Sequence, residues 1–165
     1  MAVANTKSTI ITALDASPKQ SVNSYLQGGI LRTAVATVEV AAADDDGSVY
    51  RFFRLPSNAR VVSARIYNDA ITGGTAYELG LYQTAANGGA VVDADVYGSA
   101  ISMASARVSP LDALFEALNI DQGEKRVWEN AALTTDPQIE YDVCLTGTTV
   151  GTAAGTITLQ IDYVL

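Results

Sequence analysis

From Ile30 onward, apolar residues recur at every second position in short runs separated by turn residues. Val38 and Val40 alternate with Thr37 and Glu39, and the stretch Ala41 to Gly47, ending Asp-Asp-Asp-Gly, reads as an acidic hairpin turn. Val49 to Leu55 is an aromatic-rich strand carrying Tyr50, Phe52 and Phe53, stopped by Pro56. In the next strand Val62, Ala64 and Ile66 are expected on one face and Ser63 and Arg65 on the other. Tyr77, Leu79 and Leu81 alternate with Glu78, Gly80 and Tyr82, and Val91-Val92 starts a short strand after the turn Asn87-Gly88-Gly89. The cleanest alternation is late: Ile139, Tyr141, Val143 and Leu145, then Ile157, Leu159, Ile161 and Tyr163.

Alternation of this kind buries one face of a strand and wets the other, which suits antiparallel sheets packed face to face. The fold class expected is all-β: an antiparallel β-sandwich, a jelly roll of about eight strands, with one short helix and an extended N-terminal arm. The helix is expected over Ser109 to Leu118, where Leu111, Leu114, Phe115 and Leu118 form one stripe behind Ser109 and Pro110. Lys125 to Asn130 reads as a further strand. Residues 1–29 are rich in Ser, Thr, Asn and Gln and form the arm, with a short strand near Thr9 to Thr12; residues 30–165 form a single β-sandwich domain.

Composition narrows the chemistry. The 165 residues contain no histidine and one cysteine, Cys144, so there is no imidazole base and no intramolecular disulfide. The net charge of −8 argues against nucleic acid or an anionic membrane as a partner. The start of the chain lacks the pattern of a signal peptide, and no apolar run approaches the roughly 18 residues of a membrane-spanning helix. No catalytic residue, metal ligand or cofactor is assigned. Cys144, on the polar face of its strand, is read as an incidental thiol. Asp93 with Asp95, and Glu140 with Asp142, each project to one strand face and are read as solvated carboxylates. Asp44 to Gly47 lacks the ligand spacing of a calcium loop. Trp128, Tyr82 and Tyr97 could make a sugar platform, against which stands a core or interface role for Trp128.

One stretch resembles a known family. Tyr50-Arg51-Phe52-Phe53-Arg54-Leu55-Pro56-Ser57-Asn58-Ala59-Arg60-Val61, then Ser63 to Ala70, Gly73-Gly74-Thr75-Ala76, Leu79-Gly80-Leu81-Tyr82 and Gly88 to Asp93 are laid out as in the head decoration (cement) proteins of tailed bacteriophages. The resemblance implies a non-enzymatic virion protein, made in the host cytoplasm, that coats the capsid exterior and bridges major capsid subunits as a homodimer or homotrimer. Ile10, Ile11 and Leu14 of the arm would then touch the capsid, and Phe52, Tyr82 and Trp128 would mark self-association. The alternatives are a tail, neck or fibre-tip component, a carbohydrate-binding module, or a small hydrolase.

Overall fold

The computed structural model describes residues 4–107, 109–114 and 122–165. Eight strands run in chain order: β1 Leu31–Val40, β2 Val49–Pro56, β3 Arg60–Asn68, β4 Ala76–Gln83, β5 Val91–Ile101, β6 Leu111–Asp112, β7 Glu140–Thr149 and β8 Gly155–Val164. They form two antiparallel four-stranded sheets, ordered β1-β8-β3-β6 and β2-β7-β4-β5. Consecutive strands thus alternate between sheets in the pairs β1/β2, β3/β4, β5/β6 and β7/β8, the double Greek key of a jelly roll. Two short α-helices, α1 Thr9–Leu14 and α2 Val127–Asn130, and a 3-10 turn at Ala85–Asn87 complete the described elements.

The core lies between the sheets and is built from the alternating positions. Ile157, Leu159 and Ile161 of β8 and Ala64 and Ile66 of β3 face Leu79 and Leu81 of β4 and Val143 and Leu145 of β7, all fully buried. Tyr77 joins them by donating its hydroxyl to the Val150 carbonyl at 2.8 Å. Such side chains stabilise by about 1.5–3 kcal/mol each on burial.

Several expectations change in the structure. Val62 is turned outward and 42% exposed while Val61 is buried, because a bulge between Val61 and Ser63 shifts the alternation by one residue. The acidic turn is not a hairpin: β1 and β2 lie in different sheets, and the segment between them crosses the sandwich. Its aspartates cap that crossing. The Asp44 carboxylate accepts the Ala41 N–H and the Tyr50 hydroxyl, both at 2.9 Å, and Asp46 accepts the Val150 N–H at 2.9 Å. Leu111 and Asp112 are extended rather than helical, since they supply partners to the β3 edge opposite Ile66 and Arg65. Residues 115–118 of the expected helix lie outside the described residues. Lys125 to Asn130 contains helix α2, not a strand; the Glu129 carboxylate accepts the Arg126 N–H at 2.8 Å and caps its start. Thr9 to Thr12 is helical too, with the Ser8 Oγ accepting the Ile11 N–H at 3.3 Å. The arm is therefore not fully extended.

Strand β5 is longer than the two valines suggested, and it is irregular. Leu79 pairs with Gly98 and Leu81 with Asp93, so five steps along β5 are matched to two along β4. The excess folds over Gly80, where an added Cβ would lie 2.2 Å from the Asp93 carbonyl oxygen. Gly80→Ala is therefore expected to destabilise the fold by about 2–3 kcal/mol, the upper range of core overpacking, measured by urea unfolding.

Candidate functional site

The polar side chains of this protein are spent on bracing its surface. On the outer face of the β2-β7-β4-β5 sheet, Arg51 Nη1 and Arg54 Nε each reach Asp142 at 2.8 Å. Arg51 also donates to the carbonyls of Gln83 and Gly89 and lies 5.3 Å over the Tyr82 ring. Asp142 is thus buried beneath two guanidiniums, unlike the solvated carboxylate expected; Glu140 is exposed. The same cover seals Cys144, which is buried rather than on an open polar face; burial pushes its pKa up to about 12, against the pull of nearby Arg51.

Asp93 and Asp95 sit together in the irregular part of β5, where the Asp95 N–H donates to Asp93 Oδ1 at 3.3 Å. Partial burial, and then the neighbouring Asp95 carboxyl, hold Asp93 above an ordinary aspartate pKa. Among the described residues no three His, Cys, Asp or Glu side chains converge as a metal site. No described helix is long and apolar enough to cross a membrane.

On the opposite sheet Asp162 of β8 accepts the Thr33 hydroxyl of β1 at 2.6 Å and the Ser63 hydroxyl of β3 at 2.7 Å, with Arg65 at 3.3 Å. The Thr33 and Ser63 hydrogen bonds, helped by Arg65, lower its pKa despite burial. This carboxylate stitches three strands together from outside.

The arm is tied down at one place. Arg60 Nε donates to the Tyr25 carbonyl at 2.7 Å, and the Arg126 guanidinium lies 4.9 Å from both the Tyr25 and the Trp128 rings. Gly29 passes so close to β8 that an added Cβ would meet Val164 Cγ1 at 2.3 Å. Of the expected capsid contacts, Ile10 lines a cleft within the arm with Ala13, Val22 and Leu26. Leu14 is half-buried, while Ile11 points outward, 44% exposed.

Of the expected self-association residues, Phe52 is the bulged residue of β2, half-buried against Phe53. Tyr82 is buried under Arg51, with its hydroxyl 2.7 Å from Thr146 Oγ1. Trp128 stacks on Arg126, at the arm's anchor. Each packs against a different neighbour. The sugar platform is not formed, since Tyr97 is fully buried in the core and offers no ring face.

A surface absent from the sequence reading is the open side of β1. Among the described residues this strand ends its sheet and pairs only with β8. Ile30 and Leu31 at its start are 72% and 58% exposed, and Val35 at its middle 62%. The signal was present as an apolar residue at an outward position between Thr33 and Thr37.

No protein-family model matches the chain, and no curated protein matches it in sequence. Among solved structures it is similar to a chain of the cyanophage Pam1 capsid asymmetric unit, at 17% identity and a TM-score of 0.47, covering 83% of this chain and 86% of that one. A chain of the capsid of Ralstonia phage GP4 is similar at 16% identity and a TM-score of 0.47, over 82% and 84%. One from the acid-stable capsid of Helicobacter pylori bacteriophage KHP30 is similar at 17% identity and a TM-score of 0.41, over 82% and 94%. Overlap this partial leaves the role to be argued from the chain itself.

Two outcomes follow from the braces. The Asp162 pKa is depressed in the folded state, so its contribution is complete above the unfolded value near 3.9 and is lost as pH falls through the folded value. Asp162→Asn should cost about 1–3 kcal/mol at pH 7 and flatten the acid limb of a stability-versus-pH curve below about pH 5. Arg126→Ala should release the arm, raising protease cleavage within residues 4–29 at least severalfold while leaving the sandwich melting temperature within a few degrees.

Proposed function

We propose that this chain is a non-enzymatic structural virion protein that binds the outer surface of a phage capsid and stabilises it by bridging major capsid subunits. The observation that carries the reading is where the exposed large apolar side chains fall. Among the described residues, four of the eight exposed large apolar side chains, Ile11, Ile30, Leu31 and Val35, fall in the arm, at its junction with β1 and in the first half of β1, while Val49, Val62, Val91 and Leu133 are scattered over other segments. Clustered exposed apolar residues mark protein-binding surface rather than ordinary exterior. The resemblance of Tyr50 to Val96 to head decoration proteins supplies the partner class, the major capsid protein.

The division of labour supports it. Residues 1–29 act as the arm and residues 30–165 as the domain that carries it. Display of many copies around a symmetric shell multiplies a modest contact at each arm. The negative net charge disfavours nucleic acid and anionic lipid and suits basic patches on a protein shell. The working place is the capsid exterior, after synthesis in the host cytoplasm.

Purified chain mixed with empty shells that lack it should co-sediment with them and raise their disruption temperature. Ile11→Glu should weaken that binding about tenfold, near 1.4 kcal/mol, with the fold unchanged by circular dichroism. Shells that neither bind the chain nor gain heat resistance would refute the proposal.

A further inference from the structure

A jelly roll of two open sheets has four edge strands, and bare edges are adhesive because their N–H and C=O groups await partners. Three of the four are blunted here. β6 is only two residues long. β2 is bulged between Arg51 and Phe53, carries Arg51 and Arg54, and ends at Pro56. β5 breaks register with β4 three times. β1 is the least protected of the four: it carries one arginine, Arg32, near its start, but it matches β8 over ten consecutive residues without a shift and contains no proline and no lysine. The described part of the arm leads away from the open side of β1, since Gly29 passes over Val164 and Tyr25 meets Arg60, which carries it from β1 across β8 toward β3.

We infer that β1 pairs edge to edge with β1 of a second copy of this chain, antiparallel, about a two-fold axis through Val35. The occupant is indicated by the strand's own sequence. Thr33-Ala34-Val35-Ala36-Thr37 is a palindrome, and an antiparallel two-fold contact requires a self-complementary strand. With the axis at Val35, each Val35 meets its counterpart, Thr33 meets Thr37 of the second copy, and Ala34 meets Ala36.

Directly opposed residues must share a sheet face, and this register keeps outward residues against outward ones; an axis between two residues would not. Beyond the palindrome, Arg32 falls opposite Val38 and Glu39 opposite Leu31, so no like charges meet. Val35, largely exposed in the single chain, is covered at the centre. The Thr33 and Thr37 hydroxyls are already bonded to Asp162 and Thr158 on β8, so pairing strands no side-chain polar group. The two sheets become one continuous sheet of eight strands.

This inference is independent of capsid binding and is tested on the purified chain alone. Sedimentation velocity should show a dimer, and Val35→Lys, which sets two ammonium groups on the axis, should raise the dissociation constant at least tenfold with an unchanged circular dichroism spectrum. Val35→Cys should cross-link to itself under mild oxidation, because opposed Cα atoms lie about 4.5–5.5 Å apart, within disulfide reach. Thr37→Cys should not, because it faces Thr33. Native Cys144 is buried and does not compete. A chain monomeric at every concentration, a Val35→Lys dimer as tight as the parent, or Val35→Cys cross-linking no faster than Thr37→Cys would each overturn the inference. A dimer that ignores shells would count only against the capsid reading, and a monomer that binds them only against this one.

Discussion

Everything in this fold hangs on β7 and β8, two of the four strands that are hydrogen-bonded on both sides. β8 is paired with β1 and β3, β7 with β2 and β4, and the two follow each other in the chain. Their inward side chains, Ile157, Leu159 and Ile161 against Tyr141, Val143 and Leu145, form the middle of the core. Because these strands are fully paired, their polar backbone can be buried without penalty, and the apolar interior can form around them. The outer strands are then free to bulge, shorten or carry function.

That hierarchy also explains what was legible in the sequence. The strands with the cleanest alternation, Glu140 to Thr149 and Gly155 to Val164, are the central ones, where one face must meet the core along its whole length. The jelly-roll class follows from them. Errors gather where a ladder is interrupted or an element is short. Val62 went to the wrong face because a bulge is a backbone event with no side-chain signature. Leu111 opens the expected helical stripe yet, with Asp112, is extended along the β3 edge, while Phe115 and Leu118 of that stripe lie outside the described residues. Val127 to Asn130 is one turn of helix, too short for periodicity to declare.

The surfaces were read less well than the core, for a related reason. Ile10, Ile11 and Leu14 stood out as apolar residues in a polar arm, but only their placement on α1 separates outward Ile11 from Ile10, which faces the arm itself. Phe52, Tyr82 and Trp128 were singled out by size. Tyr82 lies under Arg51, far from it in sequence, Phe52 sits in a bulge, and the Arg126 beside Trp128 also grips Tyr25 of the arm, arrangements that no local pattern reveals. The open side of β1 is a property of topology, since nothing in Thr33 to Thr37 says which strand will lie last in its sheet.

The sealed thiol has a consequence of its own. Cys144 lies beneath the Arg51–Asp142 brace with its proton held tightly. Thiolate is the form that attacks oxidants and other sulfurs, so this one stays chemically silent. A protein built this way presents no thiol at its surface, so many copies can crowd together without scrambling sulfur bonds between neighbours.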